Sequence, residues 1–364
     1  MIYKKNRPFC SALLVGRLDA MLQKAAKRAK TLQFAMHNPE LDLSYSFSST
    51  VPEQRFHSAS VGKLMTATLV FMAIEQGRLS LDSKVRPILE PGMLDRLCVF
   101  KGQDYQDDVT VRQLLGHMSG VNDYFESKTF DGASFVDEVI KQPNVFWKPG
   151  DLLDFTRTRQ SAIAAPGQKF LYSDTGYVLL GLLVEAVYQM PFHSALKTYI
   201  FTPAGMTQTT LCFYGEGFDQ SALAPLFVNG VDVHTYTSLS CDFSGGGLST
   251  TAGDLLKFLG HLQHGHYIRG TSLAAMASFT HRYRQGLHYG LGMMEVRFGE
   301  FFFLLNRLPR LRGHLGVTGV HAWYDHASQA TYVLNVGNTK DMATSFRLLI
   351  DILMLVQREQ STRK

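Results

Sequence analysis

The chain has 364 residues, of which 45% are hydrophobic and 18% are charged, and these proportions are typical of a folded protein rather than a disordered one. A net charge of +5 is mild, and the densest basic run, residues 24–30, continues an amphipathic helical pattern whose charged face belongs in water. We therefore expect no nucleic-acid partner, and a chain long enough for one large domain or two closely packed ones.

The N-terminal region gives no sign of export. Lys4 and Lys5 precede an apolar run that Arg17 and Asp19 interrupt before any small-residue cleavage site, which argues against a signal peptide. The longest uncharged apolar run, residues 64–74, is shorter than the roughly 20 residues that a membrane span needs. The sequence thus predicts a cytoplasmic protein without a membrane span.

Hydrophobic periodicity predicts strands near both ends of the chain. A helix over residues 11–30 is followed by two strands, TLQFAMH and LDLSYSF, and by a helix over residues 60–76 that Gly77 ends. Helical patterns dominate as far as about residue 285. Strand patterns then return in MMEVRFGEFFFLL, GVHAWYD and ATYVLNVGN, and a last helix follows.

This order of elements predicts an α/β (α+β) fold with one sheet built from both termini and a large, mostly helical insertion. We predict a discontinuous sheet domain, residues 1–64 plus 286–364, and a helical domain, residues 65–285. No flexible linker separates them, so they should share an interface, and a cleft at that interface is the expected place for an active site.

Ser60 and Lys63 stand out in the apolar segment RFHSASVGKLMTATLVFMAI, because lysine is seldom buried without a partner. On a helix, positions i and i+3 project from one face, so the hydroxyl and the amine can meet. At a helix start the Ser60 N–H also faces any oxyanion, and the segment can supply a nucleophile, a cation and part of an oxyanion hole. The alternative is structural: Ser60 caps the helix while Lys63 extends to the surface.

Other kinds of site have weaker support. A Walker A phosphate loop would require Gly in place of His57 and Ser or Thr in place of Leu64. A Ser-His-Asp triad would lack its commonest context, since no Gly-x-Ser-x-Gly segment occurs. Scattered cysteines and an isolated histidine cluster favour free thiols and no metal or cofactor. These residues are Cys10, Cys98, Cys212, Cys241, His261, His264 and His266.

Two later segments complete a recognisable pattern with Ser-x-x-Lys: PGQKFLYSDTGYVLLG, residues 166–181, and RGHLGVTGV, residues 312–320. With them the chain resembles the class C serine β-lactamases, the D-alanyl-D-alanine carboxypeptidases and the family VIII carboxylesterases. The likeness covers roughly residues 30–340. It includes GRLSLDSKV, VTVRQLLGHMSGV, IFTPAGMTQTTL and SGGGLSTTAGDLLKFL in the family's order. The resemblance implies an antiparallel sheet flanked by helices.

The resemblance also implies roles for individual residues. Ser60 is the nucleophile, Lys63 its charged neighbour and Tyr172 the group that moves protons. Ionising a tyrosine at pH 7 costs roughly 4 kcal/mol, and an ammonium at about 4 Å returns a similar amount. The oxyanion hole would combine the N–H groups of Ser60 and Val317. Substrate would be bound by Asp174, His314 and Gly316.

Two departures from the family pattern bear on the substrate. Penicillin-recognising members commonly have Asn where Asp174 stands and Lys-Thr-Gly where the triplet His314, Leu315 and Gly316 stands. Both changes weaken recognition of β-lactams and of D-Ala-D-Ala. We therefore expect a serine hydrolase that acts through an acyl-enzyme on small-molecule esters or amides. The alternatives are a β-lactamase and a penicillin-binding type of protein that holds a ligand without turnover, and the oligomeric state stays open.

Overall fold

The computed structural model describes residues 10–363. The prediction that the chain has no signal peptide rests on the first residues and falls largely outside that range. The strands are β1 (Gln33–Asn38), β2 (Leu43–Ser48), β3 (Phe56–His57), β4 (Val99–Phe100), β5 (Gln103–Asp104), β6 (Thr210–Leu211), β7 (Phe227–Val228), β8 (Val231–Asp232), β9 (Leu248–Thr250), β10 (His281–Arg284), β11 (Leu287–Tyr289), β12 (Met294–Val296), β13 (Leu311–Gly316), β14 (Val320–Asp325) and β15 (Thr331–Asn335).

The helices follow the predicted order. They are α1 (Cys10–Ala26), α2 (Lys63–Glu75), α3 (Val111–Leu115), α4 (Phe135–Lys141), α5 (Pro149–Arg159), α6 (Asp174–Tyr188), α7 (Phe192–Leu196), α8 (Thr202–Ala204), α9 (Ala252–Gln263), α10 (Gly270–Met276) and α11 (Met342–Arg363). A π-helical turn, Lys197–Phe201, joins α7 to α8.

The main sheet has eight strands in the order β10-β11-β12-β13-β14-β15-β1-β2, and every neighbouring pair is antiparallel. The early hairpin β1–β2 joins the late strands by pairing Phe34 with Leu334. The predicted fold class, an antiparallel sheet built from both ends of the chain, is confirmed. Its first late strand begins at His281, slightly before the predicted domain boundary at residue 286.

The two faces of the sheet are covered by different helices because side chains alternate along a strand. On β14, Trp323 points into an apolar cluster shared with α1 and α11, through residues such as Leu18 and Leu349. Its neighbours Ala322 and Tyr324 belong to the opposite cluster, which contains α2, α6 and α9. The sheet therefore lies between a layer of terminal helices and the helical middle of the chain.

Helix α2 lies in the core of the helical layer. Most of its side chains are buried, from Lys63 through Phe71, and it packs against α6. Gly77 follows the helix with φ +71°, the left-handed conformation of a glycine C-cap, as predicted. None of the described helices taken singly is long and apolar enough to cross a membrane; the bent pair Asp174–Tyr188 and Phe192–Ala204 passes by length and composition.

The structure differs from the sequence prediction in one apolar segment. The strand expected over residues 293–305 ends at Val296, and two 3-10 turns follow. Consecutive phenylalanines lack the alternation that holds one face of a strand against a core. Phe302 and Phe303 are instead 51% and 67% exposed.

The described thiols agree with the expectation for free cysteines. Cys98, Cys212 and Cys241 are free and buried. The side chain of Cys10 lies outside the described part of the structure. No disulfide therefore has to be invoked among those three residues.

Candidate active site

Ser60 lies in a 3-10 turn, Ala59–Gly62, which runs directly into α2. The residue before it, Ala59, has φ +45°, a left-handed conformation that costs an L-residue roughly 1 kcal/mol. Local hydrogen bonds hold the turn: the Ala59 N–H donates to His57 Nδ1 at 3.2 Å, and the Leu248 N–H donates to Ser58 Oγ at 3.1 Å. The Ser60 side chain is thereby presented at the start of the helix and is only partly buried.

Two glycines allow other backbone segments to pack closely on this turn. A Cβ atom at Gly246, where φ is +144°, would lie 1.9 Å from the carbonyl oxygen of Ala59. A Cβ atom at Gly316 would lie 2.8 Å from Ala59 Cβ. A side chain at Gly316 would therefore collide with the turn that carries the nucleophile, and the role of Gly316 in binding substrate stays a prediction.

Lys63 is fully buried and uses its ammonium group on three acceptors. Its Nζ lies 3.1 Å from Ser60 Oγ and 2.7 Å from the carbonyl oxygen of Gly245, and it forms an ion pair with Asp174 Oδ1. An ammonium group has three N–H bonds, so all of them are engaged. The structural alternative, a lysine that extends to the surface, does not occur here.

Tyr172 is the third side chain of the candidate site, beside Ser60 and Lys63. Its side chain is 8% exposed, its hydroxyl has no partner of ordinary hydrogen-bond geometry among the described residues, and its ring centroid lies 5.0 Å from Lys63 Nζ. Burial raises the pKa of Tyr172 well above its ordinary value, Asp174 raises it further, and a weaker interaction with the Ser60 hydroxyl lowers it. The phenol is therefore neutral. The Lys63 charge was expected to offset the cost of ionising Tyr172, but Asp174 neutralises that charge.

Two carboxylates that the sequence analysis missed lie beside Asp174. Asp123 is fully buried and accepts hydrogen bonds from the N–H of Asp174 at 2.8 Å and of Glu126 at 2.6 Å. Burial, with a further contribution from Asp174, raises the pKa of Asp123 to about 7. Burial likewise raises the pKa of Asp242 to about 7, although Lys63 opposes the shift. No local pattern distinguishes these two aspartates from others in the chain.

A cavity of about 220 Å³ opens in front of Ser60. Its wall includes the predicted residues Ser60, Tyr172, Asp174 and Val317, so both residues assigned to the oxyanion hole border the same space. The rest of the wall divides into polar and apolar parts. These remaining residues are Ala59, Phe125, Glu126, Asp242, Tyr283, Arg284, Gln285, Leu287, Met294, Phe301, Leu315, Met342 and Phe346.

His314 does not border this cavity. Its Nδ1 donates to the carbonyl oxygen of Leu315 at 2.9 Å, and its Nε2 accepts from the Tyr289 hydroxyl at 3.2 Å. Burial lowers the pKa of His314 to about 3, and the charge on Lys63 lowers it further. The ring is thus neutral, fully bonded and packed behind Tyr172, because alternation along β13 turns Leu315 rather than His314 toward the cavity.

Two further buried histidines near the site, His57 and His117, make local hydrogen bonds of their own. His57 accepts from the Ala59 N–H, and His117 Nδ1 accepts from the Ser173 N–H at 3.0 Å. Over residues 10–363, neither ring hydrogen-bonds to Ser60, and no group of three or more His, Cys, Asp and Glu residues is arranged to hold a metal ion. The chemistry available at this site is that of a hydroxyl, an ammonium, a phenol, a guanidinium and four carboxyl groups.

Comparisons with known proteins agree with the resemblance that the sequence motifs indicated. The family model described as Beta-lactamase matches residues 45–351. Curated relatives include a probable fimbrial assembly protein FimD of Dichelobacter nodosus, 27% identical over 215 residues, which cover 57% of this chain and 48% of that protein. Penicillin-binding protein 4 of Amycolatopsis lactamdurans is 31% identical over 158 residues, which cover 42% of this chain and 35% of that protein.

The matched regions thus span half or less of the length of these relatives. Among solved structures, the D-amino acid amidase of Ochrobactrum anthropi complexed with L-phenylalanine has a TM-score of 0.77. Its sequence is 20% identical, and the alignment covers 95% of this chain and 99% of the amidase. At this identity the match establishes the fold.

Proposed function

Because the chain belongs to the β-lactamase family, we propose that it is a serine hydrolase that cleaves small-molecule esters or amides through an acyl-enzyme on Ser60. The observation that carries this proposal is the 3.1 Å contact between Lys63 Nζ and Ser60 Oγ beside a cavity of about 220 Å³. A surface serine that merely capped a helix would need neither a buried ammonium nor a cavity. At about 220 Å³ the cavity is smaller than the roughly 300–1,000 Å³ of pockets for drug-sized ligands, so it suits a compact substrate or the end of a peptide.

Acylation begins when Ser60 Oγ attacks the carbonyl carbon of the substrate. As the bond forms, Tyr172 takes the proton from Ser60 and gives its own phenolic proton to the departing alcohol or amine. This exchange requires no free phenolate, which suits a phenol whose pKa is raised by burial. The N–H groups of Ser60 and Val317 bind the developing oxyanion.

Lys63 assists the attack as an ammonium group. Its hydrogen bond to Ser60 Oγ stabilises negative charge on that oxygen as the proton leaves. The ion pair with Asp174 engages a second N–H bond of Lys63, so the lysine acts as a hydrogen-bond donor and electrostatic partner rather than as the base. Hydrolysis of the acyl-enzyme follows the same route, with water attacking in place of Ser60 and Ser60 receiving the returned proton.

The substrate class follows from the charges beside Ser60. Asp174 stands where an amide would bind a β-lactam, and Asp242 borders the same cavity. The Lys63 charge is already balanced by Asp174, so it offers little attraction to the carboxylate that penicillins and D-Ala-D-Ala peptides carry. Esters and amides without that carboxylate are therefore the preferred substrates. The fold similarity to a D-amino acid amidase supports amides as one of the two classes.

A protein that is acylated without turnover is the second candidate. The observation in its favour is that Tyr172 is a neutral phenol while Lys63 is a fully engaged ammonium group. A resting site with no strong base can be acylated by a reactive substrate and then hydrolyse the acyl group very slowly.

Burst kinetics and intact-protein mass spectrometry test these alternatives. The protein is exposed to a fluorophosphonate probe, to chromogenic esters and anilides, and to nitrocefin. A hydrolase gives steady turnover of an ester or anilide and a mass adduct that Ser60→Ala abolishes, whereas a binder gives one stoichiometric burst. Ser46→Ala, on the exposed side of β2, is the control and should be labelled like the parent. Undiminished labelling of Ser60→Ala would remove Ser60 as the nucleophile.

A further inference from the structure

His117 is hydrogen-bonded to the residues on either side of Tyr172. Its backbone carbonyl oxygen accepts from the Leu171 N–H at 3.0 Å, and its ring Nδ1 accepts from the Ser173 N–H at 3.0 Å. Both acceptors belong to one residue, although Ser173 lies 56 positions further along the chain. The backbone of Tyr172 is therefore held at both of its ends by a single residue.

The imidazole ring of His117 also packs on the ring of Tyr172. The two ring centroids lie 4.3 Å apart, with an interplanar angle of 35°. Tyr177 and Tyr289 contact the same imidazole at centroid distances of 5.1 and 4.5 Å. His117 is buried, so this close packing leaves its ring little freedom to move. The imidazole thus orients the phenol ring as well as the backbone that carries it.

The backbone of His117 has an unusual conformation. Its φ of +57° lies in the left-handed region, which costs an L-residue other than glycine roughly 1 kcal/mol. The residue lies just beyond the end of α3, where its N–H donates to Leu114 O at 3.2 Å. Strained residues of this kind persist when the surrounding structure requires them. Here the left-handed turn allows the carbonyl and the ring of one residue to reach the same segment.

His117 takes no direct part in proton transfer. Burial lowers the pKa of His117 well below its ordinary value, and the charge on Lys63 lowers it further. The ring is therefore neutral, and its proton is on Nε2 because Nδ1 accepts a hydrogen bond. The ring neither hydrogen-bonds to Ser60 nor lines the cavity. It can influence the reaction only through the residues that it holds.

The position of Tyr172 matters because its hydroxyl interacts with the Ser60 hydroxyl. Proton transfer between these two groups requires their oxygens to approach to hydrogen-bond distance. The start of α6 is fixed separately, by the bond from the Asp174 N–H to Asp123 Oδ1 at 2.8 Å. The contacts of His117 extend this control to Tyr172, which precedes the helix.

We propose that His117 is a positioning residue that holds the Tyr172 hydroxyl at the distance from Ser60 that proton transfer needs. The side-chain part of this role belongs to Nδ1, and the backbone part belongs to the carbonyl oxygen, which every variant at this position keeps. The inference rests on the proposed function, which gives Tyr172 its role. A histidine that only stabilised the fold would not change what the Tyr172 hydroxyl contributes to kcat.

A double-mutant cycle with Tyr172→Phe tests the inference by steady-state kinetics with a chromogenic ester. His117→Phe keeps an aromatic ring but removes the acceptor, and it should lower kcat by roughly tenfold to hundredfold with a smaller change in KM. In the Tyr172→Phe background the same change should lower kcat by less than about threefold, because the hydroxyl to be positioned is absent. Equal losses in the two backgrounds would overturn the inference. Tyr267→Phe, outside the cavity wall, is the control and should show no coupling to Tyr172→Phe.

His117→Asn is the conservative variant. Its Oδ1 takes the place of Nδ1 as an acceptor, and asparagine tolerates the left-handed conformation, so it should restore much of the kcat that His117→Phe loses. A folded His117→Asn protein with a kcat as low as that of His117→Phe would also overturn the inference. If His117→Phe does not fold, His117→Gly takes its place, because glycine lacks the acceptor and accepts a positive φ.

Hydrogen exchange of backbone amides separates this inference from the proposed function, because it needs no substrate. The Ser173 N–H should exchange roughly twofold to tenfold faster in His117→Phe than in the parent protein, and at about the parent rate in His117→Asn. The buried Val85 N–H, which donates to Val109 O at 3.0 Å, corrects for changes in overall stability. An unchanged rate for Ser173 in His117→Phe would show that the ring does not hold this segment. Absence of turnover in the parent protein would instead contradict the proposed function.

Discussion

Lys63 and Asp174, 111 positions apart in the chain, form an ion pair in which the side chains are 0% and 7% exposed. Both side chains are paired within the core because neither charge is tolerated there alone. The pair also fixes the Lys63 ammonium against Ser60, so the contact that holds the core together shapes the candidate site.

Lys63→Met should destabilise the protein by about 3–5 kcal/mol, because it leaves the Asp174 carboxylate buried without a cation. The double variant Lys63→Met, Asp174→Asn should recover part of that loss, since the orphaned charge is gone. Chemical denaturation measures both values. Lys197→Met, which removes an exposed pair with Glu216, is the control and should cost less than about 1 kcal/mol. Equal costs for the two lysine variants would contradict the importance of the buried pair.

Tyr172→Phe should lower kcat by at least about a hundredfold, the usual scale for loss of a proton-transfer group. The change keeps the ring that packs on His117, at a centroid distance of 4.3 Å, so folding should be preserved. Steady-state kinetics with a chromogenic ester measure the loss. Tyr267→Phe removes a buried hydroxyl that donates to Ile200 O, outside the cavity wall, and should leave kcat nearly unchanged. Parent-like turnover by Tyr172→Phe would leave proton transfer without an assigned residue.

Asp242→Asn should stabilise the protein at pH 8 and have little effect near pH 4. The pKa of Asp242 is raised from 3.8 to about 7 by burial, so the folded state holds a proton that the unfolded state has lost between those values. The stability of the parent therefore falls as pH rises from about 4 to about 7, and the variant escapes this penalty.

Thermal unfolding at several pH values measures this effect. The gain in Tm from Asp242→Asn should increase up to about pH 7 and stay level above it. The exposed control, Asp107→Asn, should show no such increase. A pH-independent difference between Asp242→Asn and the parent protein would mean that Asp242 titrates normally in the folded state.

Gly246→Ala should disrupt the turn that carries Ser60. The added methyl group would lie 1.9 Å from Ala59 O and 3.0 Å from Ser60 Cα, and the backbone there has φ +144°. We expect a loss of several kcal/mol in stability together with loss of fluorophosphonate labelling. Gly16→Ala, in α1 with no atom within 4 Å of the new methyl group, should instead stabilise the protein by about 0.5–1 kcal/mol. Normal labelling of Gly246→Ala would show that the turn can relax.

The local sequence pattern was sufficient to predict the principal helices and strands and the contact between one pair of site residues. Hydrophobic periods of about 3.6 and of 2 predicted the principal helices and the sheet built from both ends, and helical spacing predicted that Ser60 and Lys63 would meet. The segment around Phe302 was the exception, because an apolar run without alternation does not specify a strand. The predicted family is confirmed by the match over residues 45–351.

The sequence by itself thus determined which segments are helical or extended, and which residues share a face within one turn of a helix. Only the tertiary structure decided that Asp123 and Asp242 lie beside Lys63, that Asp174 neutralises it, and that the His314 ring lies behind the cavity wall. The physical reason is that periodicity fixes neighbours a few positions apart. Contacts between residues about a hundred positions apart depend on the tertiary packing of backbone segments, which glycines allow to approach closely. They also depend on which charged side chains this packing buries together, because a buried charge needs a partner.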